Sequence, residues 1–130
     1  MTIGISVLSL ALLFEVYGDV PLGPFLGVLF YDFARDMKED ADRVWEVVGS
    51  RFEVELEPEI APFRDVLFVR RYFELSNADT DYIEWFSQEY GIELDDLFDT
   101  AIKYCLMKEG LSRVVISKHA LMRALEDVSD

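Results

Sequence analysis

One cysteine and one histidine are all that the chain offers where many sites need several. The lone Cys105 excludes an intramolecular disulfide and any zinc site built from several thiolates, and a reducing, cytoplasmic setting is the expectation that follows. Its neighbours Tyr104, Leu106 and Met107 mark it as a buried thiol. His119 stands between Lys118 and Ala120, so no local carboxylate or nucleophile makes it a general base. A glycine-rich phosphate loop, a nucleophile elbow and a paired-cysteine motif are also missing. No catalytic residue, cofactor or metal is therefore assigned, and a non-enzymatic protein is expected.

Positive charge is scarce as well: 12 Lys and Arg stand against 26 Asp and Glu, for a net charge of -14. Such a surface repels nucleic-acid phosphates and attracts basic partners or cations. The segment from Leu94 to Leu125 has helices on either side of Gly110 and the bases Lys103, Lys108, Arg113, Lys118 and Arg123. Their spacing of five walks around a helix and builds no stripe, and the connection is too long for a helix-turn-helix. Direct nucleic-acid binding is not expected.

Long apolar runs are short of membrane length. Residues 3–14 and 20–31 each form 12 uncharged residues, with Glu15 and Asp19 between them, against the ~20 a spanning helix needs. Nothing basic precedes the first run and no small-residue cleavage site follows it, so an export signal is not supported either. Both runs are expected to be core or interface helices, with a membrane-inserted hairpin as the lesser alternative, Gly18 ending the first and Asp19, Pro21 and Pro24 starting the next.

What the chain has in excess is apolar and acidic residues. Hydrophobic residues make up 52% of 130, including 10 Phe, 6 Tyr and 2 Trp, which is more than a single domain of this length usually carries. That surplus is expected in a homo-oligomer interface, with Leu8, Leu12, Leu26 and Phe30 as its residues. The central element is a long helix over Pro24–Phe52, in which Leu26, Phe30, Phe33, Met37, Ala41, Val44 and Val48 fall on one stripe. Arg35, Asp36, Lys38, Glu39, Asp40, Asp42, Arg43 and Glu46 occupy its other face.

Beyond it, Phe52, Val54 and Leu56 alternate with Glu53, Glu55 and Glu57, the period of a half-buried strand. Residues 63–75 fit a strand by alternation and a helix by length and the preceding Pro62, and the helix is the reading preferred. A helix up to Gly91 with Tyr82, Ile83, Phe86 and Tyr90 inward follows, and then one from Asp95 to Glu109 with Leu94, Leu97, Phe98, Ala101, Ile102 and Cys105 inward. Leu111–Ile116 reads as a short strand. Ser117 caps a last helix that turns Ala120, Leu121, Ala124, Leu125 and Val128 to the core. No repeat or linker divides the chain. The fold class is thus mainly α: one compact helical domain, residues 1–130, around one long amphipathic helix, with one or two short β-strands.

The acids are segregated. Residues 76–100 carry Asp79, Asp81, Glu84, Glu89, Glu93, Asp95, Asp96 and Asp99 with no Lys or Arg. Asn77, Asp79 and Asp81 have the spacing that opens a calcium loop, but Tyr82 replaces its glycine and Gln88 its closing Glu, so helix capping accounts for them. These acids, with the aromatics Tyr82, Trp85 and Tyr90 as anchors, form the expected binding face for a basic protein, as in inhibitors, immunity proteins, antitoxins and nucleic-acid mimics. The alternative is a structural subunit that self-assembles or docks through the apolar N-terminal region.

Overall fold

The first apolar run does two jobs. In the computed structural model, which describes residues 1–75 and 80–126, Thr2–Ser6 is a strand, β1, and the helix α1 begins only at Val7 and ends at Tyr17. Ser6 makes the division: its backbone is extended, and its hydroxyl accepts from the Ser9 N–H as an N-cap. The expectation of a helix from residue 3 therefore fails for its first few residues. The reason is tertiary, because β1 finds an antiparallel partner in Arg70–Glu74, β3, with Thr2 opposite Glu74 and Ser6 opposite Arg70. Ile3, Gly4 and Ile5 are all buried there, so the strand has no solvent face and no alternation to read. The same pairing corrects the reading of residues 63–75, which divide into a 3-10 turn at Ala61–Phe68 and then β3.

Gly18, at φ 81°, closes α1 by returning its N–H to Phe14, and the chain turns into α2, Leu22–Val48. The long helix is present with its expected stripe: Leu26, Phe30, Phe33, Met37 and Val44 are buried and Ala41 and Val48 half-buried. It is broken once. Asp40 leaves helical geometry at φ −159° and ψ 84°, and its carboxylate accepts from the Arg43 N–H, so Asp40 serves as the N-cap of a second segment. The helix ends at Val48, short of Phe52, where Gly49 and the Ser50 hydroxyl bond back onto the last turn.

Glu53–Leu56, β2, is the strand expected from alternation, and it pairs in parallel with Arg113–Ile116, β4. Parallel pairing needs a long crossover, which here is everything between them: the 3-10 turn, β3, the helix α3 at Thr80–Tyr90 and the helix α4 at Leu94–Lys108. Ser117 then caps α5, Lys118–Leu125, through its hydroxyl to the Ala120 N–H. Ala120, Leu121 and Ala124 face inward, whereas Leu125 is 42% exposed, and Val128 lies outside the described residues.

The mainly helical architecture has one continuous apolar core running from Ile3 to Ala124. α2 lies against α4, α1 against α5, and β1 between β3 and α4. Leu12, Leu26 and Phe30 are at most 4% exposed within this core and Leu8 packs partly against it. Of the expected interface residues, Leu12, Leu26 and Phe30 are therefore internal to the chain, and Phe30 is covered by Phe86 of α3 and Phe98 of α4. Among the described residues no single helix is long and apolar enough to cross a membrane, and α1 and α2 meet that test only together, across a 94° bend.

Candidate partner-binding face

α3 is oriented by its aromatic underside. Ile83 and Phe86 are buried, and the Phe86 ring meets Phe30 at 5.4 Å, Phe33 at 5.7 Å and Tyr90 at 4.6 Å, mostly edge to face. With that side held, Asp81, Glu84, Trp85 and Glu89 project from the other, Asp81 three residues before Glu84 and four before Trp85, and Glu89 four after Trp85. All four are exposed, Trp85 by 47%. Asp81 occupies the first turn, where a carboxylate meets the positive end of the helix. Asp79 and Asn77 lie outside the described residues.

Gly91, at φ 66°, takes the sharp turn that ends α3, and Glu93 stands at the N-cap position of α4. Here the expected acidic face divides. Asp99 is turned inward as a structural group: one carboxylate oxygen accepts from the Ser6 N–H at 3.0 Å and hydroxyl at 3.3 Å, and the other faces Arg70 at 3.2 Å. Arg70 also reaches Asp96 at 3.5 Å and donates to the Asp95 carbonyl. Asp81, Glu84, Glu89, Glu93 and the Asp95 carboxylate enter no ion pair among the described residues. Five acids thus remain for a partner, while Asp96 is half-committed and Asp99 fully so.

Two residues the sequence reading did not assign to this face come from α2. Lys38 places its ammonium 5.0 Å from the Tyr82 ring centre and 5.7 Å from that of Trp85. Tyr31, 47% exposed, meets Tyr82 edge-on at 5.9 Å, and Tyr82 meets Trp85 in the same manner at 5.8 Å. Tyr31 and Lys38 are seven residues apart and so share one side of α2, a spacing visible in the sequence. Which ring that side would meet was not visible. Tyr31 also borders a shallow hollow with Pro24, Gly27, Val28, Asp32 and Arg35.

The titratable groups below this face act as a tether. The Tyr104 hydroxyl donates to Asp36 at 2.6 Å, and the Lys108 ammonium lies 2.8 Å from Asp36 and 3.2 Å from Asp32, which joins α4 to α2. Burial opposes the charge on Asp36, but hydrogen bonds from Lys108, Tyr104 and Arg35 outweigh it and hold the carboxyl below its ordinary value. Hydrogen bonding to the same carboxylate raises Lys108, while burial and Asp36 push Tyr104 up to about 12. Burial pushes the Cys105 thiol up to about 12 as well, which keeps it protonated and unreactive near neutrality. His119, on α5, is exposed and lies 3.2 Å from Asp19, a partner its sequence neighbours did not reveal. No group of three or more His, Cys, Asp or Glu suited to a metal ion occurs among the described residues.

Compared with known protein families, curated proteins and solved structures, the chain finds no match.

Proposed function

We propose that the chain is a non-enzymatic acidic binding protein that engages a basic protein surface through the outer side of α3 and the start of α4. The observation that carries this reading is the pairing of an exposed aromatic, Trp85, with Asp81, Glu84 and Glu89 on one helical side, none of them neutralised by the described residues of this chain. Carboxylates steer a cationic partner, and a large ring among them supplies the desolvated anchor that charge alone does not. The binding logic is that of inhibitors, immunity proteins, antitoxins and nucleic-acid mimics. A reducing, cytoplasmic setting fits the single buried thiol.

The test compares the wild-type chain with a triple Asp81→Lys, Glu84→Lys, Glu89→Lys variant as bait in native extract. A basic protein retained at ~0.15 M salt, released near 1 M salt and lost in the variant is the expected result. Retention of the same protein by both chains would refute the reading.

A second reading, self-assembly or docking through apolar surface, draws on a different place from the N-terminal region. Phe63, Phe68, Val69 and Tyr72 are exposed by 57%, 74%, 53% and 61%, a concentration over the 3-10 turn and β3. Light scattering at ~0.15 M and about 1 M salt separates the two readings: an apolar assembly keeps its mass in both, and a monomer in both removes this alternative.

A further inference from the structure

The rings of Tyr31, Tyr82 and Trp85 form a surface cluster with an ammonium already over it, and that occupant is the chain's own Lys38. In a chain of 26 acids and 12 bases, Lys38 makes no ion pair among the described residues and rests on rings instead. The face of each ring is negative and attracts a cation held within about 6 Å of its centre. The geometry points to an arginine-binding subsite at Tyr82 and Trp85, which Lys38 fills until a partner arginine displaces it. This inference rests on the acidic binding face proposed above and names the side chain that face receives.

Three features favour that exchange. Lys38 is exposed and its stem is flexible, so its ammonium can swing into water without disturbing the buried stripe of α2. A guanidinium is planar and more weakly hydrated than an ammonium, and so stacks better on a ring. The same arginine has carboxylates to meet: Asp81, Glu84 and Glu89 stand four before, one before and four after Trp85 on one exposed side of α3. Their charge complements a guanidinium lying on the Trp85 ring, and a bidentate pair there adds specificity. Lys38 thereby keeps the rings covered in the free protein and discriminates against partners that carry charge but no arginine to place.

The test measures the fluorescence anisotropy of a labelled hexa-arginine peptide titrated with the full chain at ~0.05 M and ~0.5 M salt. Wild type is expected to bind with a strong salt dependence. Lys38→Ala, which uncovers the rings, is expected to tighten binding roughly threefold, and Trp85→Leu to weaken it by at least as much. Arg64→Ala removes one exposed positive charge from the 3-10 turn and controls for net charge. If Lys38→Ala and Arg64→Ala give the same affinity and Trp85→Leu binds like wild type, the subsite is refuted while the acidic face stands. If no variant binds the peptide at either salt, both fall. An equal gain from Lys38→Ala with a hexa-lysine peptide would overturn the assignment to arginine.

Discussion

Removing the carboxylate of Asp36 should loosen the joint between α2 and α4, and the structure sets the size of the effect. The side chain is 14% exposed and takes a 2.6 Å hydrogen bond from Tyr104, itself 4% exposed, together with Lys108 at 2.8 Å. In Asp36→Ala the Tyr104 hydroxyl loses its acceptor, and an unsatisfied buried polar group costs about 1–3 kcal/mol. The loss of Lys108 adds little, because its side chain is 38% exposed and keeps Asp32 at 3.2 Å. Better helix propensity returns about 0.5 kcal/mol. The net expectation is about 1.5 kcal/mol, or a fall in Tm of roughly 6 °C for a chain of this size. Tyr104→Phe alone removes the donor and leaves Asp36 with Lys108, for about 1 kcal/mol. Urea denaturation of both single variants and the double closes the cycle, and a coupling of about 1 kcal/mol is expected. Additivity of the two single effects to within about 0.3 kcal/mol would show that the bond contributes nothing and would refute the tether.

The same groups give stability a pH dependence at both ends. Because Asp36 is held below its ordinary value, its contribution is complete at neutral pH and is lost as the medium becomes more acidic than the ordinary carboxylate value of about 4; Asp36→Asn should flatten the acid limb of the urea midpoint. Tyr104, raised to about 12 from an ordinary value near 10, contributes fully below pH ~10 and loses that contribution as pH rises through 12, so Tyr104→Phe should flatten the alkaline limb. Phe30→Ala should cost about 3–5 kcal/mol, since Phe30 is 1% exposed and its ring centre lies 5.4 Å from Phe86 and 5.7 Å from Phe98. A lower native mass with unchanged stability would instead put Phe30 in an interface between copies. Gly4→Val should destabilise by about 1–3 kcal/mol, because a Cβ there meets Arg70 at 2.9 Å, Asp95 at 3.0 Å and Tyr72 at 3.1 Å, disturbing the arginine that holds Asp96 and Asp99. Wild-type stability in Gly4→Val would mean that this packing yields freely.

The sequence by itself determined the helical class, the buried stripe of α2, the caps at Gly18 and Ser117, and the short strands near 53–56 and 113–116. These are local matters: a side chain's period and a cap's hydrogen bond involve residues within a few positions of each other. The exposed side of α3 was legible for the same reason, since Asp81, Glu84, Trp85 and Glu89 recur at helical spacing. Only the tertiary structure decided the rest. β1 and β3 are strands because each completes the other's hydrogen bonds across some 70 residues of chain; β1 has no alternation to report that, and the alternation over residues 63–75 names no partner. Asp99 left the candidate face because Arg70 and Ser6 arrive beside it from distant segments, and Tyr31 and Lys38 joined that face because α2 passes along α3. Leu12, Leu26 and Phe30 became core for a like reason: an apolar stripe states that a surface must be covered, and the packing of the remaining helices supplies the cover.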